Sequence, residues 1–313
     1  MFRFILRRAL ETIPVLLAVA TMTFFMLRLA PGGPFDSDRE APPSVQKKLD
    51  EYYGFDKPLY QQYFIQMGHL LHGDLGFSFK YQNRTVNGVI KEAAPISLEL
   101  GIYSLCIALM IGLSAGIIAS LKPNTLTDYI PSSLSMVGIC LPTFLMGPIL
   151  ILIFVLHFEW FEMRWNGDDN SLRTQFRHKF LPALTLGLYY AAYVARLARG
   201  GMREVLNQDF IRTARSKGAT ERRVILKHAI KGGIIPVVSF LGPATAGLIA
   251  GSFVIETIFD IPGLGKFFVN SAFDRDYTMV MGVVLFYASL IILLNLVSDI
   301  VLVWLNPKLK FDE

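Results

Sequence analysis

The sequence predicts an all-α membrane protein with six transmembrane helices and a small extracytoplasmic subdomain after the first of them. Three observations carry this. The chain of 313 residues is 53% hydrophobic and only 18% charged, with a mean hydropathy of +0.45, which is too apolar for a water-soluble domain. Several apolar runs exceed the roughly 18 residues that a helix needs to cross a bilayer. Lys and Arg exceed Asp and Glu at the amino terminus and in the loop Gly201–Gly233, while the remaining polar stretches are near balance; this places the loop and both termini inside. The net charge of +5 therefore reports topology and gives no sign of a nucleic-acid partner.

The chain divides into residues 1–30 (amino terminus and first span), 31–95 (the subdomain) and 96–313 (the membrane core, with loop 201–233). The first apolar run, Ala9 to Leu29, follows a short basic start, MFRFILRR. Ala18-Val19-Ala20 resembles a signal-peptide cleavage site, but the run continues through Leu27, so a retained helix is expected. Residues 31–95 are polar and mixed in charge, with helical patterns at Ser44–Tyr53 and Leu59–Leu71 between glycine turns.

The second span, Ile96 to Leu121, sets Gly101, Ser104, Ala108, Gly112, Ala115 and Ala119 on one face, a stripe that lets helix backbones approach closely in lipid. The third, Ser132 to Leu156, contains Pro142 and Pro148, which remove backbone hydrogen bonds and kink a helix. Irregular backbone at membrane depth is tolerated where it faces protein or a cavity, so this helix is expected near a pathway. A polar outer loop, His157 to Lys179, follows; His157 and His178 have no spaced partners and read as interfacial rather than metal-ligating. The fourth span is Phe180 to Ala198. The fifth, Ile234 to Ile258, is dense in small residues, among them Gly247, Gly251 and Ser252; it is expected to pack tightly, line a path, or both. The sixth, Met279 to Leu305, carries Asn295 and Asp299, the latter expected to pair with an amino-terminal arginine. Cys106 and Cys140 lie inside apolar runs and read as inert packing residues, giving neither a disulfide framework nor a metal site.

The loop Gly201–Gly233 is more structured than a connection requires. Val205, Leu206, Phe210, Ile211 and Ala214 recur at helical spacing from Met202 to Ser216, and Gly218 stops that helix. Thr220 is placed to cap a second helix, with Val224, Ile225, Leu226 and Ile230 as its apolar side, ending at Gly232-Gly233. Basic amphipathic helices also lie on lipid, but a glycine-punctuated pair presenting an apolar stripe fits a groove on a soluble partner better.

This loop, RTARSKGATERRVILKHAIKGGIIP, resembles the EAA-type loop of ABC importer permeases, in the variant of the oligopeptide/dipeptide family. Arg212 and Thr213 stand where Glu and Ala are usual, and Pro236 comes later than the usual Leu-Pro, both as in the peptide-permease branch. Two further stretches resemble the same family in order: FILRRALETIPVLLAVATMTFFMLRLAPGGPF at the start and ETIFDIPGLGKFFVNSAFDRDYTMVMG from Glu256 to Gly282. Asp56-Lys57-Pro58-Leu59 and Gly73-Asp74-Leu75-Gly76-Phe77-Ser78 are similar to the family's signatures as well. Gly263-Leu264-Gly265-Lys266 is not a phosphate loop, since the Walker spacing and the following Ser or Thr are absent.

The resemblance, closest to the B-type subunits, implies the ABC importer permease fold and uptake of oligopeptides by alternating access. It implies a second, C-type permease, two cytoplasmic ATPases that bind ATP and Mg, and an extracytoplasmic peptide-binding protein that subdomain 31–95 could meet. No cofactor is expected in this chain, which has no nucleotide motif and by itself is not an enzyme. Ala214, Arg215, Gly218, Ala219, Val224 and Leu226 are the expected ATPase-coupling residues; Pro142, Gly247, Gly251 and Ser252 are expected near the substrate path. Within the family, dipeptides, nickel or antimicrobial peptides are alternative cargoes. A lone secondary transporter would show mid-membrane charges and inverted repeats, and neither stands out. A scaffold whose basic loop binds anionic lipid would leave the small-residue stripes unexplained.

Overall fold

The structure is a computed structural model that describes residues 2–30, 54–81, 83–163, 172–250 and 252–305. Its elements are α1 (Phe2–Leu29), α2 (Leu59–Leu71), α3 (Val86–Leu121), α4 (Leu126–Cys140), α5 (Thr143–Ile151, winding on as a π-helix over Leu152–His157), α6 (Leu172–Leu206) and α7 (Asp209–Ser216). They continue with α8 over residues 221–233, α9 (Ile235–Ala250), α10 (Ser252–Ile258), α11 (Leu264–Phe273) and α12 (Tyr277–Leu305). Among the described residues the only β pairing is an isolated bridge, Phe77 with Thr85.

Among the described residues five stretches are long and apolar enough to cross a membrane: Leu10–Leu29, Val86–Leu121, Phe176–Leu206, Ile235–Ile258 and Tyr277–Trp304. A sixth span is available if α4 and α5 count as one, although they meet at 105°. The expected kink is thus a break, and its cause is local. Leu141 precedes a proline and is driven into an extended conformation (φ −81, ψ 117), which α4 cannot continue through. Pro142 then starts α5, its carbonyl accepting the Leu145 and Met146 amides at 3.0 and 3.1 Å. Pro148, inside α5, causes no comparable break. The expected helix at Ser44–Tyr53 and the partner of Asp299 among the first arginines lie outside the residues whose structure or side chains are described.

The chain forms two compact units, residues 1–96 with 262–290, and 97–261 with 291–313. In the first, Val86, Val89, Ile90, Ala93, Leu264, Met279 and Val283 make a buried core with Leu75, Phe267 and Phe286 packed on it. The helix α3 begins ten residues before the predicted span, because Thr85 caps it: its hydroxyl accepts the Gly88 amide at 3.1 Å. Asp276 caps α12 in the same way, accepting the Met279 amide at 3.1 Å. The same buried carboxylate also accepts hydrogen bonds from Ser78 Oγ and, at 3.0 Å, Thr278 Oγ1. Two motifs that the sequence shows far apart, Gly76-Phe77-Ser78 and Arg275-Asp276-Tyr277, are therefore one joint. α1 is tied to α2 by the Thr21 and Tyr63 hydroxyls, 2.8 Å apart. The Arg28 guanidinium lies 4.2 Å from the centre of the Phe55 ring.

In the second unit the small-residue stripe of α3 is buried as expected: Ser104, Ala108 and Ala119 are inaccessible. A Cβ at Gly112 would fall 2.6 Å from the Ala191 carbonyl of α6, so this glycine is what lets α3 and α6 touch backbone to backbone. A bidentate ion pair closes the α4–α6 contact, with Arg199 Nε and Nη2 donating to Asp128 at 2.5 and 2.8 Å. The Asn124 amide and Ser132 hydroxyl supply the carboxylate's remaining partners at 3.1 and 3.2 Å, so this buried charge is fully satisfied. Many apolar side chains of α1, α4 and α5 are exposed, including Met26, Leu134, Phe144 and Leu152, as suits surfaces that meet lipid. Cys106 and Cys140 are free and exposed, rather than packed inside as their apolar neighbours suggest.

Candidate functional site

The loop 201–233 folds as a compact hairpin on the end of α6. Its first helix is not continuous from Met202. The helix α6 runs to Leu206, the chain turns at Asn207, and Gln208 takes an extended conformation that starts α7. This turn lets Ile211 face inward, and leaves its neighbour Phe210 47% exposed. Met202, Val205, Ile211, Val224 and Ala229 form the buried core, with Ala214, Ala219, Ile225 and Ile230 packed around it.

Gly218 closes α7 in a Schellman motif. Its φ is +79, its amide reaches the Arg215 carbonyl at 2.9 Å, and the Ala219 amide reaches the Ala214 carbonyl at 3.2 Å. Ala214 and Ala219, the two positions this motif brings near each other, both pack on the hairpin core. A side chain at Gly218 would meet open space, so the requirement for glycine is conformational, not steric. Across the turn Arg215 donates to Glu221 from Nε at 2.8 Å and from Nη2 at 3.2 Å. Thr220 does stand at the start of α8, in an extended conformation, but its hydroxyl makes no capping bond.

The middle of α8, Val224–Ala229, is π-helical. With hydrogen-bonded partners five residues apart, Val224 and Ala229 both turn inward, and Leu226 is left 58% exposed. The six expected coupling residues thus come together but divide in two. Val224 is completely buried and cannot touch a partner; Ala214 and Ala219 are half-buried supports; Arg215, Gly218 and Leu226 are at the surface. The expected coupling set left out Phe210, which points outward beside it. The signal was there, because adjacent residues on a helix cannot both face one core. The same hairpin exposes Arg212, Lys217, Arg222, Arg223 and Lys227, so it offers the apolar anchors Phe210 and Leu226 on a predominantly basic module.

The expected path residues are not gathered into one site. Pro142 is exposed at the α4–α5 break. Gly247 faces α6, where the Tyr190 hydroxyl occupies the space a Cβ would need. Gly251 lies outside the described residues. Ser252 is buried and donates to Glu256 Oε1 at 2.6 Å, which also accepts from Ser97 Oγ at 2.7 Å; this is an internal polar tie between helices, not an open lining. Among the described residues no three His, Cys, Asp or Glu side chains are grouped to hold a metal ion.

The chain is similar to known proteins over its whole length. The family Binding-protein-dependent transport system inner membrane component matches residues 109–311, and the amino-terminal family of binding-protein-dependent transport system membrane components matches 1–101. The oligopeptide transport system permease protein OppB of Haemophilus influenzae is 42% identical over 312 residues, covering 99% of this chain and 100% of the relative. Its Escherichia coli K12 counterpart is 43% identical with the same coverage. The dipeptide transport system permease protein DppB of Bacillus subtilis is 37% identical over 100% of this chain and 99% of its own. A chain of the MetNI methionine ABC transporter, in an inward-facing structure, superposes with a TM-score of 0.56 at 15% identity, covering 70% of this chain and 96% of that one; the likeness is one of fold. With residues 109–311 inside the first family and 1–101 inside the second, the chain belongs to the inner-membrane components of binding-protein-dependent transport systems.

Proposed function

We propose that this chain is a permease subunit of an ABC importer for oligopeptides. The observation that carries the reading is the end-to-end likeness, at 42–43% identity, to oligopeptide permease proteins. The hairpin supports it, because Phe210, Arg215 and Leu226 make a surface left exposed by the described residues.

In this reading a second, C-type permease completes the pathway, and two cytoplasmic ATPases bind ATP and Mg. An extracytoplasmic binding protein delivers peptide, with residues 31–95 as its landing surface. Both termini and the loop 201–233 lie in the cytosol. The hairpin docks in a cleft of an ATPase: Phe210, Arg215 and Leu226 make the contact, while Ala214, Gly218, Ala219 and Val224 hold its shape. Pro142, Gly247, Gly251 and Ser252 lie close to the path. ATP binding drives the switch between inward- and outward-open states only through its different affinity for the two. A second reading, dipeptide uptake, is favoured by the full-length likeness to the dipeptide permease.

Affinity purification of the tagged protein from its native membrane in a mild detergent tests the assembly. A second six-helix permease and one or two Walker-motif ATPases in stoichiometric amounts are expected. A solitary protein, with a control transporter surviving the same detergent, overturns the reading. Competition of labelled-peptide uptake by unlabelled peptides of increasing length separates oligopeptides from dipeptides.

A further inference from the structure

In the second unit, α6 and α9 bring four aromatic rings together. Tyr189 and Tyr190 have ring centres 5.2 Å apart, as do Tyr189 and Tyr193, and Phe240 stacks on Tyr193 at 5.9 Å. The Tyr189 and Tyr193 hydroxyls are 3.3 Å apart. The Tyr190 hydroxyl lies against the bare backbone of Gly247. All three tyrosines are only partly buried.

Their depth makes this arrangement unusual. Tyr189–Tyr193 are at the centre of the span Phe176–Leu206, and Gly247 is at the centre of Ile235–Ile258. Tyrosine is favoured at the membrane interfaces, where its hydroxyl meets water. At the centre of a bilayer a hydroxyl facing lipid loses that hydration, and partly exposed phenols there cost several kcal/mol unless they are hydrated or hydrogen-bonded. The Tyr189–Tyr193 hydrogen bond satisfies one donor of the patch, and its remaining hydroxyl donors call for water or a polar ligand at that depth. Aromatic faces with hydroxyls at their rims suit a peptide backbone whose side chains vary: the rings accept apolar side chains, and the hydroxyls meet amide N–H and C=O groups without reading sequence.

We infer that Tyr189, Tyr190, Tyr193 and Phe240 form a water-facing aromatic lining of the translocation path that peptide touches in transit. The occupant rests on the peptide-importer reading; the water-facing character does not. The test uses the complete transporter in its native membrane, with Cys106→Ser and Cys140→Ser as background. Tyr193→Cys and, independently, Tyr189→Cys are treated with a hydrophilic, membrane-impermeant thiol reagent. Met110→Cys, an exposed apolar position at mid-span in α3, serves as the lipid-side control. Both tyrosine positions are expected to label at least about tenfold faster than Met110→Cys, the order of difference that hydration of a thiolate makes against an apolar surround. Transported peptide should slow that labelling, while an equal concentration of free amino acids should not. Labelling no faster than at Met110→Cys for both variants overturns the inference and assigns the patch to lipid or to the second permease. Fast labelling that peptide leaves unchanged overturns the peptide contact. If the chain co-purifies without ATPases yet labels quickly, the importer reading falls and the aqueous lining stands. Tyr190→Ala is expected to lower uptake about fivefold while Tyr190→Phe retains the ring contact and loses less, in keeping with the worth of one aromatic contact.

Discussion

The helices α7 and α11 end in the same turn and differ in what the turn holds. At both, the residue after the cap is left-handed, Gly218 at φ +79 and Arg275 at φ +56. At both, the next amide reaches back five residues, from Ala219 to Ala214 at 3.2 Å and from Asp276 to Ser271 at 2.9 Å. At Gly218 the further contacts stay local: Ala214 and Ala219 on the hairpin core, and Arg215 with Glu221. At Asp276 the carboxylate caps the next helix and binds Ser78, 198 residues away in sequence. The first turn shapes a module that presents itself outward. The second locks distant parts of one unit to each other. A defect at Gly218 should therefore damage coupling and spare the fold, and a defect at Asp276 should do the reverse.

The largest effect is expected at Asp276→Ala. It removes the α12 cap, worth about 1 kcal/mol, and leaves the buried Ser78 hydroxyl without its acceptor at about 1–3 kcal/mol. The thermal midpoint of the solubilised complex should fall by many degrees. A midpoint within the error of the parent means the joint is not a lock.

Gly218→Pro comes next, at about 3 kcal/mol, because proline cannot adopt positive φ and has no amide for the Arg215 carbonyl. The cost is confined to the hairpin, so the protein should insert and bind lipid normally while peptide uptake is abolished. Unchanged uptake sinks the docking role. The two turns then predict opposite signs for one exchange. Gly218→Ala should destabilise by about 1 kcal/mol and Arg275→Gly should stabilise by about 0.5–1 kcal/mol, since only the second relieves left-handed strain. Chemical denaturation of the purified complex resolves the pair. The smallest change is Glu221→Gln, which breaks an exposed ion pair worth about 0.5 kcal/mol or less. It should leave stability unaltered, and its effect on ATPase stimulation by peptide reports whether Arg215 is held for a partner.

Local order was legible in the sequence to the extent that its causes were local. Helix α2 begins and ends where the periodicity puts it, Leu59–Leu71. The α3 stripe from Gly101 to Ala119 faces inward as its small residues require. Gly218 was readable as a helix stop because the φ it needs is a property of one residue. The rest failed for identifiable reasons. The Thr85 start of α3 was hidden by Pro95, which reads as a boundary but sits inside the helix. Val224 was expected at the partner surface, and Phe210 was left out of the coupling set, because an ideal 3.6-residue period does not allow for the turn at Asn207 or the π-helical stretch. The tie between Ser78 and Asp276 has no local signal at all. The tyrosines of α6 were passed over because an apolar run with aromatics counts as hydrophobic whatever its hydroxyls do.

The contact between Gly201 and Gly233 has a mechanical consequence. The Gly233 carbonyl fills the place of a Cβ on Gly201, and Met202 crowds the place of one on Gly233, so α6 and the end of the hairpin meet closely only because both positions are glycine. Only Ile234 separates the end of α8 from α9. Should this stretch turn as one body about Gly233, its arms are unequal. Leu226 is about 10 Å away along the helix on one side, and Gly247 about 21 Å on the other, at 1.5 Å per residue. A small displacement imposed at Leu226 would then arrive about doubled beside Tyr190, which makes that glycine contact a fulcrum and the length of α9 a gear ratio.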